Sequence, residues 1–549
     1  MEKELLNVKN KILQNPYLNK GTAFTYAERQ KYELDGLLPS EVETIDTQIL
    51  RVKEVLDNIP EALEKNYYLT SIYRTNRTLY FATIQKYLTE LLPIIYTPTI
   101  GDVVMNAHKH FEPSTDAVYI NAFRPETMKR KLQNACEHPE KIKMLVITDG
   151  EGVLGIGDWG VNGIQIAIGK LAVYTLAAGL DPETCLPIAL DCGTNNKELR
   201  EHPLYLGERK ERLTGMEYDA SIESFIQSAK EVFPEAVFHF EDFGRENASR
   251  ILETYRDQVC SFNDDIEGTG AMVVAAALAT TRVSKIPLDK QRIIIFGAGT
   301  AGIGIANQIS HEMMHISQQP FETAKQAFYL VDKNGLITND MTDLTDGQQK
   351  YARNEEDFTH LDTTSLLELV KAIKPTMLIG ASGVTGAFTE EVVREMANNT
   401  IRPAILPLSN PTKLAEAKAS DLITWTKGKA LIVTGSPTSP VEYEGQTYEI
   451  GQANNALLYP GLGLGTIVSR AQKITSQMLR EAAHAVSNQV NLTHKGAALL
   501  PPVSTLLETS TQVAYAVCQA AIKEGVAKAE NITQEDVQSA IWMPVYKEV

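Results

Sequence analysis

A chain of 549 residues exceeds what one hydrophobic core ordinarily serves, so two or three domains are expected. Apolar residues make up 43% and charged residues 22%, the balance of a globular protein in water. The formal net charge of −17 argues against nucleic acid or an anionic membrane as partner.

The first residues, Met1-Glu2-Lys3-Glu4, lead into a polar segment without an apolar signal core. Residues from Met1 to about His110 read as mostly helical, with Thr25 as an N-cap and Glu28 completing a capping box. Pro93-Ile94-Ile95-Tyr96-Thr97-Pro98 interrupts that pattern. Its two prolines predict a non-helical backbone that would hold the Tyr96 phenol still, though a buried loop tyrosine fits as well. From Lys143 the pattern changes to strand–turn–helix units. Met144 to Thr148 predicts a buried parallel strand closing on Asp149-Gly150, followed by a glycine-rich stretch. Ile164 to Ala178 predicts a helix ended by Gly179. Lys170 lies inside it among aliphatic residues, either reaching solvent or buried with a lowered pKa.

Cys185 to Leu190 predicts the next strand, running into Asp191-Cys192-Gly193-Thr194-Asn195-Asn196. Val237 to Phe243 holds Glu241-Asp242 at a strand end, and Asn263-Asp264-Asp265-Ile266-Glu267 supplies further acids beside a glycine turn. Acid pairs at strand ends are usually solvated, but two pairs framed by aromatic residues offer oxygen ligands suited to Mg²⁺ or Mn²⁺. The apolar run Ala271 to Thr280 is too short to span a bilayer and predicts a buried helix. Cys136, Cys185, Cys192, Cys260 and Cys518 are scattered without CxxC spacing, which points to reduced core thiols in a cytoplasmic protein.

Ile293-Ile294-Ile295-Phe296 is a short buried strand, and Gly297, Gly299 and Gly302 follow it with Thr300 and Ala301 between them; Gly304 extends the run. Glycines in that order let backbone N–H groups approach a pyrophosphate at a helix N-terminus. The next strand ends on Asp332, the position of a ribose-binding acid, at a distance that requires a longer intervening helix than usual. Further strand-end loops follow at Ala381-Ser382-Gly383, Leu408-Ser409-Asn410-Pro411 and Gly435-Ser436-Pro437, then Gln452-Ala453-Asn454-Asn455. Strand C-terminal ends are where open α/β sheets bind ligands. The segment from about Lys473 is helical without a chemical motif.

Taken together, Leu18–Phe24, Tyr96-Thr97-Pro98-Thr99, Asp149–Gly160, Ile168-Gly169-Lys170-Leu171, Gly193-Thr194-Asn195-Asn196, Phe240-Glu241-Asp242-Phe243, Phe262-Asn263-Asp264-Asp265-Ile266, Pro407-Leu408-Ser409-Asn410-Pro411 and Asn454-Asn455 resemble the malic enzyme superfamily, which includes the malolactic enzymes. The resemblance implies an α/β protein. A helical N-terminal segment and an α/β catalytic domain would span 1–266, and a doubly wound Rossmann-type NAD-binding domain with C-terminal helices 267–549. It implies L-malate as substrate, a homodimer or homotetramer, and NAD with Mn²⁺ or Mg²⁺ held by Glu241, Asp242 and Asp265. Lys170, neutral in apolar surroundings, would be the base, with Asp264 tuning or sharing that role, and Tyr96 the acid. Gly297, Gly299, Thr300, Ala301, Gly302, Asp332 and Asn410 would face the cofactor, and Asn410, Asn454 and Asn455 the substrate.

Two activities compete within the superfamily: oxidative release of pyruvate and NADH, or release of L-lactate with no net redox change. Asp149–Gly160, Phe243-Gly244-Arg245 and Thr412–Ala417 look malolactic; Tyr96–Gly101, Ala381–Phe388 and Gly435-Ser436-Pro437 look oxidative. Gly152 stands where oxidative members usually carry an arginine, and favours the malolactic reading. Glu267 stands where both groups carry glutamine, so it either alters the metal's charge balance or faces solvent. A catalytically idle nucleotide-binding subunit is opposed by retention of Lys170, Tyr96 and the three acids. A metal-independent hydroxyacid dehydrogenase is opposed by the acid pairs.

Overall fold

The computed structural model describes residues 11–111, 117–153 and 155–548, so Met1-Glu2-Lys3-Glu4 and Leu154 lie outside the described residues. The chain divides into two compact units, Met1–Gly244 with Gln538–Val549, and Arg245–Val537. The boundary expected at 266/267 thus falls inside the second unit, and the last residues return to the first.

In the first unit, helices fill the N-terminal region as expected. Thr25 and Glu28 form the reciprocal capping box, satisfying orphan N–H groups at the helix start. The proline-rich stretch differs from expectation: Pro93 lies inside the Leu88–Ile95 helix. Only Tyr96 to Pro98 breaks the path before the Thr99–Asn106 helix begins. Pro93 forfeits one helical hydrogen bond, while Leu91, Leu92 and Ile95 bury the helix's apolar side.

The strands of this unit are β1 (Val118–Asn121), β2 (Met144–Thr148), β3 (Cys185–Asp191) and β4 (Val237–Glu241). They pair in parallel in the order β1-β3-β2-β4. All five residues of β2 and of β4 are buried, as in a sheet covered on both faces. The Ile164–Ala178 helix follows the glycine-rich loop and ends at Gly179 in the left-handed conformation, φ 62°. With its preceding turn it is long and apolar enough to cross a membrane, but it is 89% buried inside the protein. Cys192 and Cys518 are buried, while Cys136, Cys185 and Cys260 are partly exposed, and all five are free.

The closing segment belongs to this unit as well. The Trp542 N–H donates to the Gly179 carbonyl at 2.8 Å. Tyr546 Oη donates to Gln48 at 2.7 Å and accepts from Asn76 at 2.7 Å.

The second unit opens with the short strand β5 (Ser261–Asn263) and a π turn over Asp264–Gly268. Its sheet contains β6 (Ile293–Phe296), β7 (Phe328–Asp332), β8 (Gly335–Leu336), β9 (Met377–Gly380), β10 (Ala404–Pro407) and β11 (Leu431–Thr434). A hairpin of β12 (Val441–Tyr443) and β13 (Gln446–Tyr448) precedes the edge strand β14 (Gly451–Gln452). Sheet order is β14-β11-β10-β9-β6-β7-β8, parallel except for β8 against β7. Connections leave β6 toward β7 on one side and continue through β9 to β11 on the other. That reversal between β6 and β9 is the topological switch point of a doubly wound sheet. Ile294, Leu378, Ile405 and Ile432 pack into one core layer. Their neighbours Ile293, Ile295 and Ile379 are also fully buried, so both faces are covered. The segment Ala271 to Thr280 falls within a buried helix, Thr269–Ser284.

Candidate active site

In the first unit the chemistry gathers at the C-terminal ends of β2, β3 and β4. Residues two apart on a strand share a face, and residues four apart on a helix share another. His239 and Glu241 on β4 therefore meet Lys170 and Tyr174 on the Ile164–Ala178 helix. Lys170 Nζ lies 2.9 Å from Glu241 Oε1, His239 Nε2 is 2.9 Å from Glu241 Oε2, and the other ring nitrogen is 2.8 Å from Tyr174 Oη. Lys170 is only 3% exposed, so the buried alternative holds. Its surroundings are not purely apolar, because the Glu241 carboxylate provides a counter-charge. Gly169 and Ile95 are in near contact (a Cβ on the glycine would lie 3.3 Å from the Ile95 carbonyl). The residues that follow them, Lys170 and Tyr96, are both buried.

Asp242 follows β4 with φ at 56°, a left-handed conformation that costs a non-glycine residue energy and concentrates at functional positions. Its carbonyl accepts from the Gly152 N–H at 2.8 Å. A Cβ on Gly152 would lie 2.8 Å from the Phe243 carbonyl oxygen. The loop after β2 can approach the acid-bearing strand this closely only because position 152 has no side chain.

A buried ionic network then fixes the loops. Arg212 donates through Nε to Asp158 at 2.7 Å and through Nη2 to the Asp149 carbonyl at 2.8 Å. Asp158 also accepts from Thr194 and from the Asn195 N–H, each at 2.8 Å, so the Gly193–Asn196 motif is tied to the glycine-rich loop. Burial works to raise the Asp158 pKa, but Arg212 and these donors outweigh it and lower the value. Burial dominates at Asp149 and pushes it up to about 6, against Arg212 and the Tyr218 hydroxyl.

In the second unit, Asp264 begins the π turn and is fully buried. Asn455 donates to its Oδ2 at 3.0 Å and to Thr269 Oγ1 at 3.0 Å. Asn454 instead caps its own turn, accepting from the Ala456 N–H at 3.0 Å. Glu267 does not face solvent: it is 4% exposed. It accepts from Arg256 at 2.9 Å and from the Asn263 N–H at 3.3 Å. Burial raises its pKa, and Arg256, from the segment before β5, and the Asn263 N–H offset this only in part.

The glycine loop follows β6. A Cβ on Gly302 would lie 1.9 Å from the Gly297 carbonyl oxygen, and one on Gly297 2.4 Å from the Ala381 carbonyl. Gly304 has open space around it and is not needed for the turn. Gly299 is the N-cap of the Thr300–Ser317 helix and supplies no side-chain cap, leaving first-turn N–H groups for an anion. That 18-residue helix and the following Phe321–Ala324 turn account for the long spacing to Asp332. Gln348 donates to Asp332 and to the Ala298 carbonyl, both at 3.1 Å, and so links the acid to the loop. Ser436 donates to Asn410 at 2.6 Å. Glu416 is fully buried and accepts from Ser382 N and Oγ, each at 3.0 Å, and from Ser409. It holds the loops after β9 and β10 together.

Sequence reasoning assigned no role to Tyr174, His239, Arg212, Asp149, Asp158, Gln348 or Glu416. His239 and Tyr174 carried a usable signal, the spacings of two and four from Glu241 and Lys170.

Two family models match the chain: "Malic enzyme, N-terminal domain" over residues 73–256 and "Malic enzyme, NAD binding domain" over residues 266–522. The NAD-dependent malic enzyme 3 of Bacillus subtilis is 48% identical over 547 residues, covering 98% of this chain and 96% of that protein. The malolactic enzyme of Lactiplantibacillus plantarum is 46% identical over 546 residues, covering 98% and 99%. Among solved structures, the malic enzyme of Entamoeba histolytica superposes with a TM-score of 0.57 at 19% identity, covering 93% of this chain and 90% of that one. At that identity it speaks to the fold alone.

Proposed function

The chain belongs to the malic enzyme family, and on that premise we propose that it converts L-malate to L-lactate and CO₂, with NADH and pyruvate kept bound between two hydride transfers. Malate decarboxylation and NAD binding are common to its family; the released product is the finer reading.

The observation that carries it is Gly152. A Cβ there would lie 2.8 Å from the Phe243 carbonyl oxygen, so the arginine usual in oxidative members does not fit on this backbone without a shift. The keto acid is therefore held without that fixed cation. A second reading, release of pyruvate and NADH, is favoured by the 48% identity to an NAD-dependent malic enzyme.

The residues fit a hard divalent cation. Glu241 and Asp242 offer carboxylate oxygens from buried positions, and the strained backbone at Asp242 is of the kind retained for function. With Asp265 they would hold Mn²⁺ or Mg²⁺. Such a cation supplies polarisation of the substrate's C2 oxygen. NAD would supply a reversible hydride acceptor, its reduced form being the donor on the malolactic reading.

Lys170 takes the proton of the C2 hydroxyl as general base, with Asp264 beside that role through Asn455. Tyr96 delivers a proton to C3 of the enolpyruvate left after CO₂ departs. Asn410 and Asn455 orient substrate, with Asn454 shaping the turn beside them. Gly297, Gly299, Thr300, Ala301 and Gly302 receive the pyrophosphate, and Asp332 the ribose hydroxyls. A homodimer or homotetramer belongs to the same reading and is checked by sedimentation.

The test is anaerobic incubation of purified protein with L-malate, NAD and Mn²⁺, quantifying L-lactate, pyruvate and NADH against CO₂. Lactate equal to CO₂ with almost no NADH is the expected result. Pyruvate and NADH in equal amounts would instead establish the oxidative reaction.

A further inference from the structure

A cavity of about 260 Å³ lies in the second unit at the end of the sheet remote from the glycine loop. Arg402 and Ala430, which line it, precede β10 and β11, whereas Asn410 and Gly435 follow those strands. The two ends are one strand apart, about 13 Å for four residues. The segment Leu492–Ala497 lines one side of the cavity. It is fastened by a Glu449 N–H to Gly496 carbonyl bond of 2.8 Å and by Gln446 donating to the Lys495 carbonyl at 3.1 Å.

The lining sets a cluster of basic side chains beside aliphatic ones, Ile423, Leu431, Ile432 and Ile450 among them. Arg402, His494 and Lys495 face a single acid, Glu449, in a chain with 69 acidic against 52 basic residues. Arg402 is half-buried and donates its Nε to the Lys429 carbonyl at 2.8 Å. Burial lowers its pKa, with Tyr448 opposing. Among the described residues, Arg402, His494 and Lys495 have no carboxylate partner. Lys495 Nζ sits 5.9 Å from the Tyr448 ring centroid, and Tyr448 also lines the cavity. A planar guanidinium, an ammonium and an imidazole around a space of this size match a compact dianion better than they match water or an apolar ligand.

We propose that this cavity is a binding site for a compact organic dianion, a phosphate ester or a dicarboxylate, separate from the malate site. The shared chemistry is two negative charges on a small skeleton. The inference stands on the cavity alone and does not depend on which product the enzyme releases.

The test uses the full chain saturated with NAD and Mn²⁺, titrated separately with glycerol 3-phosphate and with succinate, and followed by hydrogen–deuterium exchange. Slowed exchange over residues 446–450 and 491–499 is expected with at least one probe. Lys495→Gln, an exposed residue whose change spares the core, should weaken that protection tenfold or more and leave malate turnover unchanged. Arg402→Gln should do the same to binding. Protection by glycerol 3-phosphate alone would identify a phosphoryl ligand, and by succinate alone a dicarboxylate. Absence of protection with both probes, or protection indifferent to Lys495→Gln, would overturn the proposal.

Discussion

The two ligand-facing regions are built by opposite means. In the first unit, loops and strand ends are fixed by buried polar and charged side chains: Arg212 against Asp149 and Asp158, Lys170 and His239 against Glu241. In the second, the nucleotide loop is fixed by missing side chains, with Gly302 against Gly297 and Gly297 against Ala381. A charge network fails by leaving a desolvated charge unpaired, which costs stability. A glycine contact fails by steric conflict, which costs ligand geometry while the surrounding strands persist. Substitutions in the two regions should therefore differ in kind as well as in size.

The largest effect is expected from Lys170→Met, which keeps side-chain length but removes the proton acceptor. Turnover should fall by about 10²–10⁴-fold, the range for a general base, while NAD binding to the second unit persists in a fluorescence titration. Wild-type turnover in this variant would remove Lys170 from the mechanism. Arg212→Met should be next, leaving Asp149 and Asp158 without their cation and lowering unfolding free energy by about 3–5 kcal/mol in urea titrations.

The second unit supplies the contrast. Gly302→Ala should weaken NAD binding tenfold or more with little loss of thermal stability, because its Cβ would meet the Gly297 carbonyl. Gly304→Ala, with open space around it, should bind NAD normally and gain up to about 1 kcal/mol from helix propensity. Glu416→Gln tests whether the second unit also depends on a buried carboxylate. Exchanging an acceptor for a donor among Ser382 and Ser409 should cost about 1–3 kcal/mol and raise the KM for NAD.

The smallest effects are titrations, and they separate the units by pH. Asp149 is raised to about 6, so the contribution of its protonated form is full below its unfolded value near 3.9 and lost as pH rises through about 6. Asp149→Asn should flatten that decline. In the second unit His484 is raised from 6.5 by its hydrogen bond to Glu312, with its own burial opposing. Its contribution is full below 6.5 and fades as pH climbs through the raised value, and His484→Gln should remove that fading. Guanidinium unfolding across pH 4 to 9 measures both.

The legibility of the two regions also differs. The central strands of both sheets were readable because buried parallel strands are short runs of Ile, Val, Leu and Phe bounded by glycine and acids, whereas the short edge strands β1, β8 and β14 were not. The glycine loop was readable because its chemistry is local. Pro93 was misread: a proline inside a two-turn helix is tolerated when the apolar side packs, and its neighbours gave no warning. The charge network was largely hidden. Arg212 reaches Asp158 across 54 residues of chain, and no periodicity links a loop arginine to a loop aspartate. Lys170 and the acid pairs were visible, but the contact that joins Lys170 to Glu241 is tertiary. Glu416 lay in a stretch read only for family likeness, since a carboxylate fed by two serines leaves no mark in composition.

The return of the closing segment to the first unit has a further consequence. The chain passes from one unit to the other at Gly244–Arg245 and back at Val537–Gln538, so the nucleotide-binding unit is an insert within its host and not an appendage to it. Cutting the chain ahead of Trp542 would strip the host of its hydrogen bonds at Gly179, Gln48 and Asn76. The connectivity thus ties the second unit to the first by two covalent links, where a simple tandem of two domains, separable by one cut, would have one.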